Sequence, residues 1–154
     1  MKRKEWELMI IEKAKPSNLD ELTNLAMKLW PENSWDNLRT ELEDLIQSEK
    51  DIIYLAFVEG ECIGFIHMSL RVDYVEGSRS SPVGYVEGIY VEENHRRKGI
   101  SKKLVEAGEQ WSKSLGCNEI ASDTEVDNYD SQQFHKKIGF REAGRIVAFI
   151  KNIE

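Results

Sequence analysis

The segment His95-Arg96-Arg97-Lys98-Gly99-Ile100-Ser101-Lys102-Lys103 sets five cations and no acid between a strand-like run and a helix-like stripe. Backbone N–H groups at a helix start have no intrahelical partner, the helix dipole is positive there, and Gly99 lets the chain come close to a ligand. Together these make an anion cradle, and the ligand implied is a phosphate or pyrophosphate. The loop is not a Walker motif, because GxxxxGK[ST] is absent, nor a dinucleotide fingerprint, because GxGxxG is absent. A solvated basic patch is the ordinary reading of an isolated basic run; the helix junction and Gly99 favour the cradle.

Other residues invite a chemical reading for different reasons. Glu87 stands mid-strand in an otherwise apolar run, where an unpaired buried carboxylate would be costly, so a partner or a function is expected for it. Asp123 opens an acidic loop and could serve merely as a turn residue. Tyr74 lies in a polar loop and is not easily explained by packing. Trp30, just before Pro31, is by default a helix-end anchor. Cys62 and Cys117 form no CxxC pair, and His67, His95 and His135 share no ligand spacing with them. A zinc site or disulfide scaffold is therefore disfavoured, no metal is expected, and a reducing cytoplasm fits.

These residues need elements to hold them. Leu8 to Lys13 reads as a strand, and Pro16-Ser17-Asn18 starts a helix whose apolar residues run from Leu19 to Leu29 at helical spacing. A second helix follows from Ser34, with Trp35, Leu38, Leu42, Leu45 and Ile46 on one stripe. Ile52 to Val58 and Ile63 to Leu70 read as antiparallel strands joined by a tight turn at Glu59-Gly60-Glu61. After the polar loop Asp73 to Pro82 comes a strand, Val83 to Val91, in which Gly84 and Gly88 suggest a bulge or a close backbone approach. Ile100, Leu104, Ala107, Gly108, Trp111 and Leu115 mark a helix ended by Gly116. Glu119 to Ser122 reads as a short strand, Ser131 to Ile138 as a last helix, and Arg141–Gly144 and Ile146–Ile153 as two closing strands. This order is an α+β pattern with one mixed sheet.

A chain of 154 residues with 32% charged and 40% hydrophobic residues is an ordinary globular domain, and residues 1–154 read as a single one. Met1 to Glu7 reads as a flexible polar lead. No apolar run approaches the roughly 20 residues of a bilayer span, and the lead is too polar for a signal peptide. The net charge of −7 gives no global attraction to nucleic acid or to a membrane surface. Set apart the five cations of the basic segment, however, and 16 cations against 28 acids leave −12 elsewhere.

The strand–RRKGIS–helix unit resembles the Arg/Gln-x-x-Gly-x-Gly/Ala signature of the GNAT acyltransferases, with Ser101 at its last small position. Asn128 followed by Phe134-His135-Lys136-Lys137-Ile138-Gly139-Phe140 is similar to the second landmark of that family. Leu29-Trp30-Pro31, Asp73-Tyr74-Val75, Ser80-Ser81-Pro82, Val86-Glu87-Gly88-Ile89, Ala121-Ser122-Asp123-Thr124 and Gln133-Phe134-His135 narrow the resemblance to the aminoglycoside 6'-N-acetyltransferases. It implies the GNAT acyl-CoA N-acyltransferase fold, a mixed, mostly antiparallel central sheet flanked by about four helices. It also implies acetyl transfer from acetyl-CoA to the 6'-amine of an aminoglycoside, with antibiotic resistance as the consequence. By the same resemblance Trp30, Tyr74, Glu87 and Asp123 meet the aminoglycoside, while Ile89, Tyr90, Val91, Arg97, Lys98, Gly99, Ile100, Ser101, Lys102 and Asn128 meet acetyl-CoA. A homodimer with contributing C-terminal strands is implied too.

The residue chemistry is consistent with that reading. A polycationic acceptor needs carboxylates around it. Attack on a thioester requires a neutral amine, so an acid must accept a proton, directly or through water; Glu87 is the first candidate and Asp123 the second. The Val91 N–H, if freed by a bulge, would stabilise the oxyanion. His135 stands where relatives carry a tyrosine that protonates the departing thiolate, and Tyr129 is the nearby alternative. Where relatives carry an acid beyond Gly-Phe, this chain has Gly144. Competing readings are acetylation of a polyamine, a protein N-terminus or a lysine, and a non-catalytic acyl-CoA-binding module on the same fold.

Overall fold

The structure, a computed structural model, describes residues 8–154; the polar lead, Met1 to Glu7, lies outside the described residues. Strand β1 (Met9–Lys13) leads through a 3-10 turn into helix α1 (Leu19–Leu29), followed by α2 (Trp35–Gln47), whose N-cap Ser34 accepts from the Asn37 N–H at 3.2 Å. Strands β2 (Asp51–Val58), β3 (Glu61–Arg71) and β4 (Val83–Val91) form the centre, then come α3 (Ile100–Ser114), β5 (Ile120–Ser122) and α4 (Tyr129–Lys137). The sheet order is β1-β2-β3-β4-β5; the first four strands are antiparallel neighbours, and β5 joins β4 in parallel. This is the mixed, mostly antiparallel sheet with four helices that the resemblance implies.

Successive strand side chains turn to opposite faces, so the apolar runs of β2 and β3 feed two cores. Ile53, Leu55 and Phe65 pack with Leu22, Leu25, Leu38 and Leu42 of α1 and α2. Ile52, Ile66 and Met68 pack with Ile100, Leu104 and Val105 of α3. The α3 stripe is rotated from the expected one: Val105 and Ser112 are buried, whereas Leu115 is 40% exposed.

The C-terminal part differs from the sequence expectation in two ways. The last helix starts at Tyr129 rather than Ser131, because the Asn128 side chain accepts from the Ser131 N–H at 3.1 Å and so caps it earlier. The two closing strands do not form: residues 140–154 carry no helix or strand. Ile146, Val147, Phe149, Ile150 and Ile153 are all exposed, Phe149 at 92% and Ile150 at 98%. A strand needs an edge to pair with and a face to bury against, and this stretch finds neither within its own chain.

Candidate active site

The basic segment expected to form the cradle lies between β4 and α3. A 3-10 turn (Glu93–His95) leads to Gly99, which caps α3 at φ +79°, with Arg97 also left-handed at φ +65°. A Cβ on Gly99 would meet nothing within 4 Å, so the glycine serves the backbone angle and not a tight space. No acid occupies the first turn of α3 and no side chain caps it, which leaves its leading N–H groups to a ligand. Ile100 is buried with Leu104 in the core, so it offers backbone only. Arg96 turns away from the cradle: its Nε donates to the Val91 carbonyl at 2.8 Å and its guanidinium lies 5.5 Å from the Tyr90 ring.

That contact fixes the direction of Val91. Glu92 N–H donates to Ile63 O of β3 at 2.8 Å, and N–H and C=O directions alternate along an antiparallel strand. Val91 therefore points its N–H and C=O away from β3. On that side β5 pairs only with Gly84, Tyr85 and Val86, so beyond Val86 the two parallel strands part and β4 has an open edge. The N–H is freed by this parting and not by a bulge at Val91, since the register Gly64↔Val91 through His67↔Gly88 is unbroken. Ile89, Tyr90 and Val91 border the opening. Asn128 lies exposed at the α4 N-cap, its Oδ1 used by the Ser131 N–H.

The bulge lies earlier. His67 pairs Gly88 while Met68 pairs Val86, leaving Glu87 as the extra residue of β4. Val86 and Ile89 both pack toward α3, so the two residues between them, Glu87 and Gly88, turn toward the α1–α2 face. Trp30, the residue capping α1, lies against Gly88 and 5.9 Å from the Phe65 ring. Glu87 is held by Ser69 Oγ at 2.6 Å and by Arg71, whose Nη2 reaches Oε1 at 2.8 Å and Oε2 at 2.9 Å. The Arg71 guanidinium stacks 3.4 Å from the centre of the Tyr85 ring, and Tyr85 donates its hydroxyl to Asp123 Oδ2. Burial, then that carboxylate, raises the Tyr85 hydroxyl well above its ordinary range.

Three of the four expected acceptor residues are thus placed around one array: Trp30, Glu87 and Asp123. Tyr74 is not joined to it; it stands 78% exposed on the loop before β4. That loop is tied down by Glu119, whose Oε1 accepts from the Arg79 N–H at 2.9 Å and from the Ser80 hydroxyl. Trp30, Asn33, Glu41, His67 and Glu87 line a cleft of about 320 Å³ floored by leucines of α2. Sequence reading missed Arg71, Ser69, Tyr85 and His67. The alternation Phe65, His67, Ser69, Arg71 puts three of them on one face of β3, which is the signal that was available; Tyr85 of β4 and the long-range partners left none.

His135 is fully engaged. Its Nδ1–H donates to Ser131 O at 2.7 Å, which leaves Nε2 to accept from the Ser122 hydroxyl at 2.8 Å, and the ring lies edge-on to Phe134 and Phe140. Tyr129 is 70% exposed at the start of α4. Among the described residues no group of three or more His, Cys, Asp or Glu is arranged to hold a metal ion, and no helix is long and apolar enough to cross a membrane.

Residues 19–140 match the acetyltransferase (GNAT) family model. The chain is 39% identical over 137 residues to the aminoglycoside N(6')-acetyltransferase type 1 of Serratia marcescens, covering 88% of this chain and 94% of that protein. It is 36% identical over 146 residues to the protein of the same name from Acinetobacter haemolyticus, covering 95% and 100%. Among solved structures, aminoglycoside N-acetyltransferase AAC(6')-Iy in complex with the bisubstrate analog CoA-S-monomethyl-acetylneamine superposes with a TM-score of 0.91 at 35% identity, covering 94% and 99%. The 6'-N-acetyltransferase AAC(6')-Ih from Acinetobacter baumannii gives 0.89 at 37% identity, covering 95% and 99%.

Proposed function

From the premise that the chain belongs to the acetyltransferase (GNAT) family, we propose that it transfers the acetyl group of acetyl-CoA to the 6'-amine of aminoglycoside antibiotics, inactivating the drug and conferring resistance. The observation that carries this reading is the double use of β4. Glu87 faces an acid-lined cleft, and four residues later, about 13 Å along an extended strand, Val91 faces the open edge beside the α3 cradle. One strand thus lies between a site suited to a polycation and a site suited to a pyrophosphate.

Acetyl-CoA supplies an acyl group on a thioester. Arg97, Lys98, Gly99, Ser101 and Lys102, with the leading N–H groups of α3 that include Ile100, hold its pyrophosphate by charge and hydrogen bonding. Ile89, Tyr90 and Val91 line its thioester arm, and Asn128 meets it from α4. The Val91 N–H points into the parting of β4 and β5, where it stabilises the oxygen that gains charge on attack. Trp30, Tyr74, Glu87 and Asp123 receive the aminoglycoside. Glu87 and Asp123 hold the amine as an ammonium ion, and attack follows once a proton has left it and freed the nitrogen lone pair for the thioester carbonyl; no enzyme nucleophile is needed. The whole chain works as one domain, in the cytoplasm, as a homodimer.

The test is thiol release. Purified protein with acetyl-CoA releases CoA thiol when kanamycin or tobramycin is added, and little with spermidine or histone peptides; the reverse order of rates sinks the assignment. An aminoglycoside with a 6'-hydroxyl in place of the amine is left unmodified. Binding of acetyl-CoA without thiol release for any amine would instead identify a non-catalytic module.

A further inference from the structure

His67, which lines the cleft, belongs to a second polar pair that the charge array does not use. His67 of β3 and Asp51, the first residue of β2, meet at 2.8 Å between Nε2 and Oδ1, with side chains 11% and 17% exposed. Asp51 is itself fixed, its Oδ2 accepting from the Ser48 hydroxyl at 2.8 Å. A carboxylate only accepts, so the neutral imidazole carries its proton on Nε2 and leaves a lone pair on Nδ1. Nδ1 has no hydrogen-bond partner among the described residues, yet it is not sealed off, since the only buried polar side-chain atom without a partner among them is His95 Nδ1. His67 lines the same cleft as Trp30, Glu41 and Glu87, and its partner on β4 is Gly88, next to Glu87.

The acids of the array already have donors of their own. Glu87 Oε1 accepts from Ser69 and twice from Arg71, and Oε2 also accepts from Arg71; Asp123 is committed to the Tyr85 hydroxyl. We infer that His67, oriented by Asp51, is the catalytic group that accepts the proton of the attacking amine, an assignment that rests on the acetyltransferase reading above. The amine arrives as an ammonium held by Glu87. One proton passes to His67 Nδ1, directly or through a water, and the resulting imidazolium is held by the Asp51 carboxylate. The freed nitrogen lone pair forms the C–N bond at the thioester carbonyl carbon, the C–S bond breaks, and the surplus amine proton goes to the departing sulfur. His67 then returns its proton to solvent. The charged groups around the imidazole are Asp51 from β2, Glu41 from α2 and Glu87 from β4, the last paired with Arg71 from β3.

The experiment measures kcat and KM against pH for the wild type, H67Q and D51N with tobramycin, and measures acetyl-CoA binding by calorimetry. H67Q is expected to lower kcat about 100-fold, the lower range for loss of a general base, while acetyl-CoA affinity holds and the rising limb of the pH profile disappears. D51N, a change at a positioning residue, lowers kcat less and keeps the limb. Turnover of an H67A protein is restored in part by free imidazole. An H67Q protein with wild-type kcat overturns the assignment, as does one that loses kcat but keeps the rising limb. If H67Q fails to bind acetyl-CoA and is therefore misfolded, H67A decides: no imidazole rescue counts against the base. A wild type that acetylates no aminoglycoside sinks the functional reading, whereas an active wild type indifferent to His67 sinks only this inference.

Discussion

The Trp30 indole occupies the space that a side chain at Gly88 would need. A Cβ built there falls 2.5 Å from Trp30 Cζ2, 2.7 Å from Cη2 and 3.2 Å from Leu29 Cδ2. The end of α1 is therefore seated directly on the β4 backbone, beside Glu87, and the glycine sets how deep the ring lies. Gly88→Ala is expected to lose about 1–3 kcal/mol of stability through overpacking and to raise KM for aminoglycosides more than for acetyl-CoA. Denaturant melts and the two KM values check this. An alanine protein with unchanged acceptor KM would remove Trp30 from the acceptor site.

Gly99 is the opposite kind of glycine, needed for its angle in open space. Gly99→Ala should cost about 1–2 kcal/mol of backbone strain and weaken acetyl-CoA binding modestly. Gly99→Glu adds an anion to the cradle and should weaken binding far more. Calorimetric titration separates the two. A Gly99→Glu protein that binds acetyl-CoA as tightly as the wild type contradicts the cradle.

These two glycines show how unevenly the site was legible. Gly99 announced itself, because five cations and a helix start are local facts. Gly88 could be read only as a bulge or a close approach, and both occur: the bulge at Glu87 and the approach of Trp30. The central strands and α1, α2 and α3 followed from periodicity, since each buries one stripe or two faces. The web from Asp123 through Tyr85 and Arg71 to Glu87 joins residues 38 and 16 positions apart, and nothing in local pattern reports such pairs. The C-terminal stretch failed for a different reason: Ile146 to Ile150 is a short continuous apolar run, which reads as a strand, but such a run states a need for a partner without saying in which chain that partner lies.

Glu87→Gln keeps the shape of the side chain but removes its charge, and with it the bidentate pairing to Arg71. Turnover should fall while acetyl-CoA affinity stays nearly unchanged, because the cradle lies beyond Val91. Steady-state kinetics with calorimetry test the split. Full retention of kcat would exclude Glu87 from acting on the amine.

Glu119 gives a pH-dependent hold on the Tyr74 loop. The Ser80 hydroxyl and then the Arg79 N–H keep its carboxyl below the ordinary value of 4.5. A lowered folded pKa means that the contribution is fully present above the ordinary value and is lost as pH falls through the folded one. The Arg79 amide resonance is accordingly expected to titrate with a midpoint below 4.5, and Glu119→Gln should abolish that titration. A midpoint above it would show that the carboxylate is not held as drawn.

Phe149 and Ile150 bear on the proposed homodimer, because apolar side chains this exposed along a continuous run mark a surface that a partner covers. The stretch just before that run touches the loop that carries Tyr74. Arg141 Nη2 donates to Gly77 O at 3.4 Å, and the Glu76 carboxylate lies 3.0 Å from where a Cβ of Gly144 would be. A partner that captures residues 146–153 would therefore also steady the loop carrying Tyr74. The wild type should sediment at twice the chain mass, and Ile150→Lys at the mass of one chain. The lysine protein should keep its acetyl-CoA affinity, since the cradle at α3 is remote in sequence and built from other elements, but show a raised aminoglycoside KM. A wild type that sediments as a single chain, or an Ile150→Lys protein that remains paired, would rule out this segment as the dimer contact.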